Sequence, residues 1–96
     1  VVSDQVRLAA FRIAEEAIAN AARHSGADHI RVELRQADDG AIVVTVRDDG
    51  TGFQVDSVRG GLGLGTMTDY AEVASGRLIV ESTEGEGTKV EAVLPP

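Results

Sequence analysis

Apolar residues fall at positions 6, 10, 13, 14, 17, 18 and 21. That spacing fits an α-helix with one broad apolar face. Ser3 is a good N-cap ahead of it, and Asp4 stands in the first turn, where the helix dipole favours a carboxylate. The helix is expected to reach about His24 and to stop at Ser25-Gly26, with Gly26 as its C′ residue. In 96 residues such a face leaves room for a single core of two packed layers.

The rest of the chain supplies the second layer. Ile30, Val32 and Leu34 alternate with Arg31, Glu33 and Arg35, the pattern of a half-buried strand. Asp38-Asp39-Gly40 signals a turn, and 42–47 reads as a second strand, antiparallel to the first. A polar loop over 53–59 leads to a second amphipathic helix from Leu64 to Ala74, ended by Ser75-Gly76. Leu78, Val80 and Ser82 mark a third strand. Glu84-Gly85-Glu86-Gly87 is a hairpin turn, and Thr88, Val90, Ala92 and Leu94 share one face of a fourth strand before Pro95-Pro96. The order helix, two strands, loop, helix, two strands predicts an α/β sandwich: a mainly antiparallel sheet covered on one face by two helices. With only Phe11, Phe53 and Tyr70 as aromatics, the core falls to Val, Leu, Ile and Ala.

Composition narrows the chemistry. There is no cysteine, so neither a disulfide framework nor a thiolate metal site is available. No apolar run approaches the ~20 residues needed to cross a bilayer, and no signal peptide is visible. The domain is therefore expected in the cytoplasm without direct membrane contact. A net charge of −7 disfavours nucleic acid as a partner. A phosphate ligand remains open to such a chain if backbone amides, a metal ion and a few basic residues supply the positive potential.

Glycines cluster between Asp48 and Met67, as Asp48-Asp49-Gly50-Thr51-Gly52 and then Gly60-Gly61-Leu62-Gly63-Leu64-Gly65. Glycine serves where the backbone needs positive φ or where another molecule approaches closely. The first cluster reads as a plain turn or as one end of a nucleotide pocket. Asp48 favours the second reading: it continues the phase of Val44 and Val46, so it is aimed at the helix layer, where a carboxylate needs a partner such as an exocyclic amine. The second cluster is neither a P-loop nor a dinucleotide fingerprint. It reads as a flexible loop or, given its place at a helix N-terminus, as a phosphate contact.

On the first helix, Glu16, Asn20 and His24 form a stripe along the border of the apolar face, whereas Glu15 falls with Arg12 and Ala19 on the solvent side. The stripe is an ordinary polar border or a metal end: an Asn carbonyl suits Mg²⁺, and Glu16 is placed as a base or as a ligand to the metal's water shell. Arg23 reads as a phosphate contact or a solvated charge, His24 as structural, and His29 as having no partner set around it. Thr88, in phase with the buried face of the last strand, is a locally bonded strand residue or a hydroxyl beside Asp48.

These pieces, in this order, resemble the ATP-binding catalytic domain of sensor histidine kinases, within the fold shared by gyrase, Hsp90, histidine kinases and MutL (the Bergerat fold, with a mainly antiparallel mixed sheet). The run from Glu16 through Asn20 to His24 is similar to the family's N box, Asp48 to Gly52 to its G1 box, Gly61-Leu62-Gly63-Leu64 to its G2 box, and Gly85-Glu86-Gly87-Thr88 to the G-x-G-T of its last strand. The compact form resembles the subfamily of nitrate sensors and DesK-like thermosensors, and the likeness spans 1–96 as one domain.

The resemblance implies that Asn20 coordinates Mg²⁺, Glu16 is the N-box acid, and Arg23 and His24 lie near the phosphates of ATP. It implies that Asp48 binds the adenine N6 amine, with Gly50, Gly52 and Thr88 around the base. Residues 53–60 would form the ATP lid, with Gly61, Leu62, Gly63 and Leu64 on its phosphate side. No F box is evident. The phosphorylated histidine of the family lies on a dimerisation helix, which is expected outside residues 1–96, and neither His24 nor His29 matches its motif. The expected partners are that domain of a parent chain, which in turn can be anchored in the cell membrane, and through it a response regulator. Alone, the chain is expected to bind ATP with nothing to phosphorylate. Rival readings are an anti-sigma-factor serine kinase on the same fold and a non-catalytic nucleotide-sensing interaction module.

Overall fold

The computed structural model describes residues 2–24, 26–52 and 63–96. Helix α1 spans Asp4–His24, and strands β1 (Ile30–Gln36) and β2 (Ile42–Asp48) follow as a hairpin. Helix α2 spans Leu64–Val73, and β3 (Arg77–Thr83) and β4 (Gly87–Leu94) form a second hairpin. The Ser3 hydroxyl caps α1 by accepting a hydrogen bond from the Val6 amide at 3.2 Å. At the end of α2 the chain turns through Ser75, at φ 61°, before Gly76.

The four strands form one sheet in the order β1-β2-β4-β3, with all three pairings antiparallel. The two hairpins are thus joined along β2 and β4, which become the central strands. Both helices lie on one face. Val6, Ala9, Ile13 and Ala17 of α1 and Met67, Ala71 and Ala74 of α2 pack on Val44, Val46, Val90, Ala92 and Leu94. Alanine at so many of these positions lets helix and sheet backbones approach closely, and Ile13 and Met67 fill the centre. Any chain whose apolar helix stripe and alternating strands must be covered together reaches this two-layer α+β solution.

Two expectations shift. The buried face of α1 runs through 6, 9, 13, 17 and 21, and Ile18 is on the outside. The helix meets α2 as well as the sheet, and Ala9 rather than Ile18 is buried there in the core. As a consequence β1, expected half-buried, is exposed along its whole length. It is the edge strand, and α1 leaves its apolar residues Val32 and Leu34 lining a groove of about 600 Å³ with Ala10, Phe11 and Ala14.

Candidate functional site

Register brings three polar side chains into one row at the end of the sheet. Asp48, the last residue of β2, stands opposite Thr88 of β4, and Thr88 stands opposite Ser82 of β3. All three are half-buried and continue the phases of Val46, Val90 and Val80, so they belong to the helix-covered face. The Ser82 and Thr88 hydroxyls are 2.8 Å apart, and Ser82 also donates to the Gly87 carbonyl at 3.1 Å. Asp48 Oδ1 accepts the Gly50 amide at 2.9 Å, which bends the chain away from the sheet directly after the carboxylate. A polar depression of about 270 Å³ at this sheet end is lined by Asp48, Ser82, Gly87 and Thr88, with Arg47, Glu81 and Lys89 from the outer face.

The turn after Asp48 is fixed to both neighbouring segments. Gly52 lies against the β3–β4 turn: a Cβ there would strike the carbonyls of Thr83 and Gly87. The Thr51 carbonyl accepts the Gly85 amide. On the other side, Asp49 Oδ1 accepts the amides of Asp28 and His29 at 2.9 and 3.0 Å, and Oδ2 is 2.8 Å from His29 Nδ1. The backbone hydrogen bond from His29, then the one from its ring, hold the Asp49 carboxyl below the usual carboxylate range. His29, expected to have no partner set, is therefore paired.

The facing helix ends complete the site. At ~100° per residue Glu16, Asn20 and Arg23 fall within an arc of about 60° on α1. Glu16 and Asn20 are half-buried and Arg23 is exposed. Glu15 is engaged elsewhere, 3.0 Å from Arg12 on the solvent side. Glu16 reaches across to the start of α2: a Cβ on Gly63, the N-cap residue at φ 68°, would strike its carboxylate. Among the described residues no side chain caps α2, and its first turn holds no acid, which leaves its leading amides as a source of positive potential.

A profile of the histidine kinase-, DNA gyrase B- and HSP90-like ATPases matches residues 4–96. The chain belongs to this family. It is 36% identical over 96% of its length to an uncharacterised sensor-like histidine kinase of Chloroflexus aurantiacus. It covers 17% of that protein, and 17 to 24% of the curated relatives it matches. The histidine kinase domain of a blue-light activated histidine kinase from Erythrobacter litoralis superposes with a TM-score of 0.80, at 23% identity over 95% of this chain and 45% of that one. The ATP-binding domain of PrrB from Mycobacterium tuberculosis gives 0.73, at 25% identity over 95% of this chain and 66% of that one. The two-layer arrangement is that of histidine kinase ATP-binding domains.

In this ATPase domain the positions singled out from sequence divide into two groups. Asp48, Gly50, Gly52 and Thr88 meet at the sheet end; Glu16 and Gly63 meet where α1 faces α2, with Asn20 one turn further along α1 and Leu64 half-buried as the first residue of α2. Gly61, Leu62 and the expected lid at 53–60 lie outside the described residues, as does the side chain of His24. Ser82 was not picked out, although its phase with Leu78 and Val80 signals the same face. Asp49 was not picked out either. Strand phase tells that Asp48 is the acid facing the helices, but no sequence signal shows that Asp49 reaches back to His29.

The site also fits a nucleotide-bound magnesium ion. Among the described residues no group of three His, Cys, Asp or Glu stands ready to hold a metal. Mg²⁺ needs no such cage: it takes one or two protein oxygens, keeps waters, and completes its shell with substrate phosphates. The oxygens of Glu16 and Asn20, next to an uncapped helix start, are a donor set of that kind.

Proposed function

We propose that this chain is the ATP-binding catalytic domain of a sensor histidine kinase, which binds Mg-ATP and presents the γ-phosphate to a histidine on the dimerisation domain of its parent chain. The row Asp48–Thr88–Ser82 at the end of the helix-covered sheet carries the reading. It sets a carboxylate acceptor and hydroxyls side by side at the end of the helix-covered face. Membership of an ATPase family whose members here are named sensor histidine kinases supports it.

In this reading Asp48 accepts a hydrogen bond from the adenine N6 amine, and Thr88, with Gly50 and Gly52, borders the base. Asn20 supplies a metal ligand and Glu16 acts as the acid of the N box. The leading amides of α2 from Gly63 and Leu64, with Gly61, Leu62, Arg23 and His24, take the phosphates. Bound Mg²⁺ would neutralise phosphate charge, most of what phosphoryl transfer asks of a protein. Residues 1–96 are read as this one domain. It works in the cytoplasm beside the dimerisation domain of a parent kinase, a larger chain that can itself be anchored in the cell membrane, and signals through a response regulator.

Titration with Mg-ATP tests the pocket. Asp48→Asn and Asn20→Asp are each expected to weaken binding at least about tenfold, the scale of one lost charge-assisted contact. Unchanged affinity in both would sink the assignment. In the parent chain, an acid-labile phosphate on the protein is the expected product, and an acid-stable one would point to serine instead.

A further inference from the structure

We infer that Asp49, braced by His29, is a positioning residue for adenine recognition: it holds the Asp48 carboxylate at the height where the 6-amino group is read. The inference rests on the ATP reading above. Asp48 is the last paired residue of β2 and its partner on the edge side is Ile30. The next residues beyond the two strands are His29 and Asp49, and Asp49 is tied four times to His29 and its neighbour Asp28. Asp49 Oδ1 takes the Asp28 and His29 amides, Oδ2 meets the His29 ring, and the Asp49 amide donates to the His29 carbonyl at 3.3 Å.

The geometry explains why this closure bears on Asp48 and not only on the strand end. Between Asp48 and Gly52 the chain leaves the sheet through the Asx turn, and its far end is pinned to the β3–β4 hairpin through Gly52 and Thr51. Asp49 is the pin on the near side. With that pin removed, β1 and β2 can fray from their shared end, where Ile30–Asp48 is the first pair to go, and Asp48 is then held on the β4 side alone, by its pairing with Thr88. The Ser82–Thr88 pair is held independently by β3 and β4. The loss should therefore fall on the carboxylate's contact and leave the rest of the pocket in place.

The test compares ATP with purine riboside triphosphate, which lacks the 6-amino group, by calorimetric titration of the chain with magnesium. Asp49→Ala is expected to weaken ATP by about five- to tenfold, the worth of one hydrogen bond to that amine. The deaminated nucleotide should bind as it does to the unchanged protein. Asp49→Asn, which keeps an oxygen for both amides, should restore most of the loss. In an Asp48→Ala background Asp49→Ala should add nothing. His29→Ala, which removes only the ring, serves as well should Asp49→Ala fail to fold; it is expected to cost ATP about twofold, as for an exposed pair. Equal weakening of both nucleotides, or no weakening of either, overturns the inference. Failure of the underlying ATP reading shows separately, as a wild-type chain that does not distinguish the two nucleotides.

Discussion

Gly52 and Gly63 share a left-handed backbone, at φ 65° and 68°, yet alanine is expected to cost them different amounts. At Gly63 the new methyl meets the far end of the Glu16 side chain, which can swing aside. The cost is then mainly that of forcing a β-carbon into the left-handed region, about 1–2 kcal/mol. At Gly52 the methyl meets the carbonyls of Thr83 and Gly87, which are fixed in the hairpin. A backbone clash adds to the conformational cost, so the loss should exceed about 2 kcal/mol. Urea midpoints of the two variants should fall in that order with unchanged slopes. A pH effect belongs to the same scale. Because the folded-state pKa of Asp49 is lowered, its stabilising contribution is full above the ordinary carboxylate pKa of about 3.9 and is lost as pH falls through the folded value. Asp49→Asn should flatten the acid limb of the stability curve below about pH 4; an acid limb identical to that of the unchanged chain would refute this. The aim of Asp48 was legible from strand phase, since period 2 is rigid. The Asp49–His29 pairing was not, because it joins residues twenty apart at a strand end, where no periodicity applies.

At the scale of elements, all six helices and strands were legible, because each carries its own period and its own stop. Less was legible about how far each is covered. The helix period allows several arcs on α1, and the arc is chosen by packing against α2 as well as the sheet. The order β1-β2-β4-β3 was also not written in any one strand, since it comes from which hairpin edges meet. This choice separates two apolar residues of similar size. Ile13 is 0% exposed between the helices and the sheet, whereas Leu34 is 68% exposed on the edge strand. Ile13→Ala should cost about 2–5 kcal/mol, and Leu34→Ala less than about 0.5 kcal/mol, the range of surface changes. Thermal or urea unfolding of the pair checks this. Comparable losses would mean that the groove beside β1 is covered in solution.

For the molecule as a whole, charge and size decide how ligand binding will show itself. The chain carries −7 and adds Glu16 at the point where phosphates are expected. A bare nucleoside triphosphate brings several more negative charges to that point. Arg23 and the α2 amides offset only part of this, so on the proposed reading a divalent ion is expected to make the encounter favourable. A 96-residue domain also has a small unfolding entropy, so modest ligand energies move its melting temperature visibly. At a hundred times the dissociation constant a ligand adds about 2.7 kcal/mol. At roughly 4–8 °C per kcal/mol for a domain of this size, Mg-ATP should raise Tm by about 10–20 °C. ATP with EDTA at the same concentration should give a small fraction of that shift, and Mg²⁺ alone almost none, because among the described residues no group of three acidic or His side chains could hold it without phosphate. Asn20→Asp should separate the two contributions: the extra carboxylate strengthens attraction for free Mg²⁺ but adds charge against the triphosphate. An equal Tm rise with and without magnesium would mean that the phosphates are met by protein groups alone, and would remove Asn20 and Glu16 from the metal end of the site.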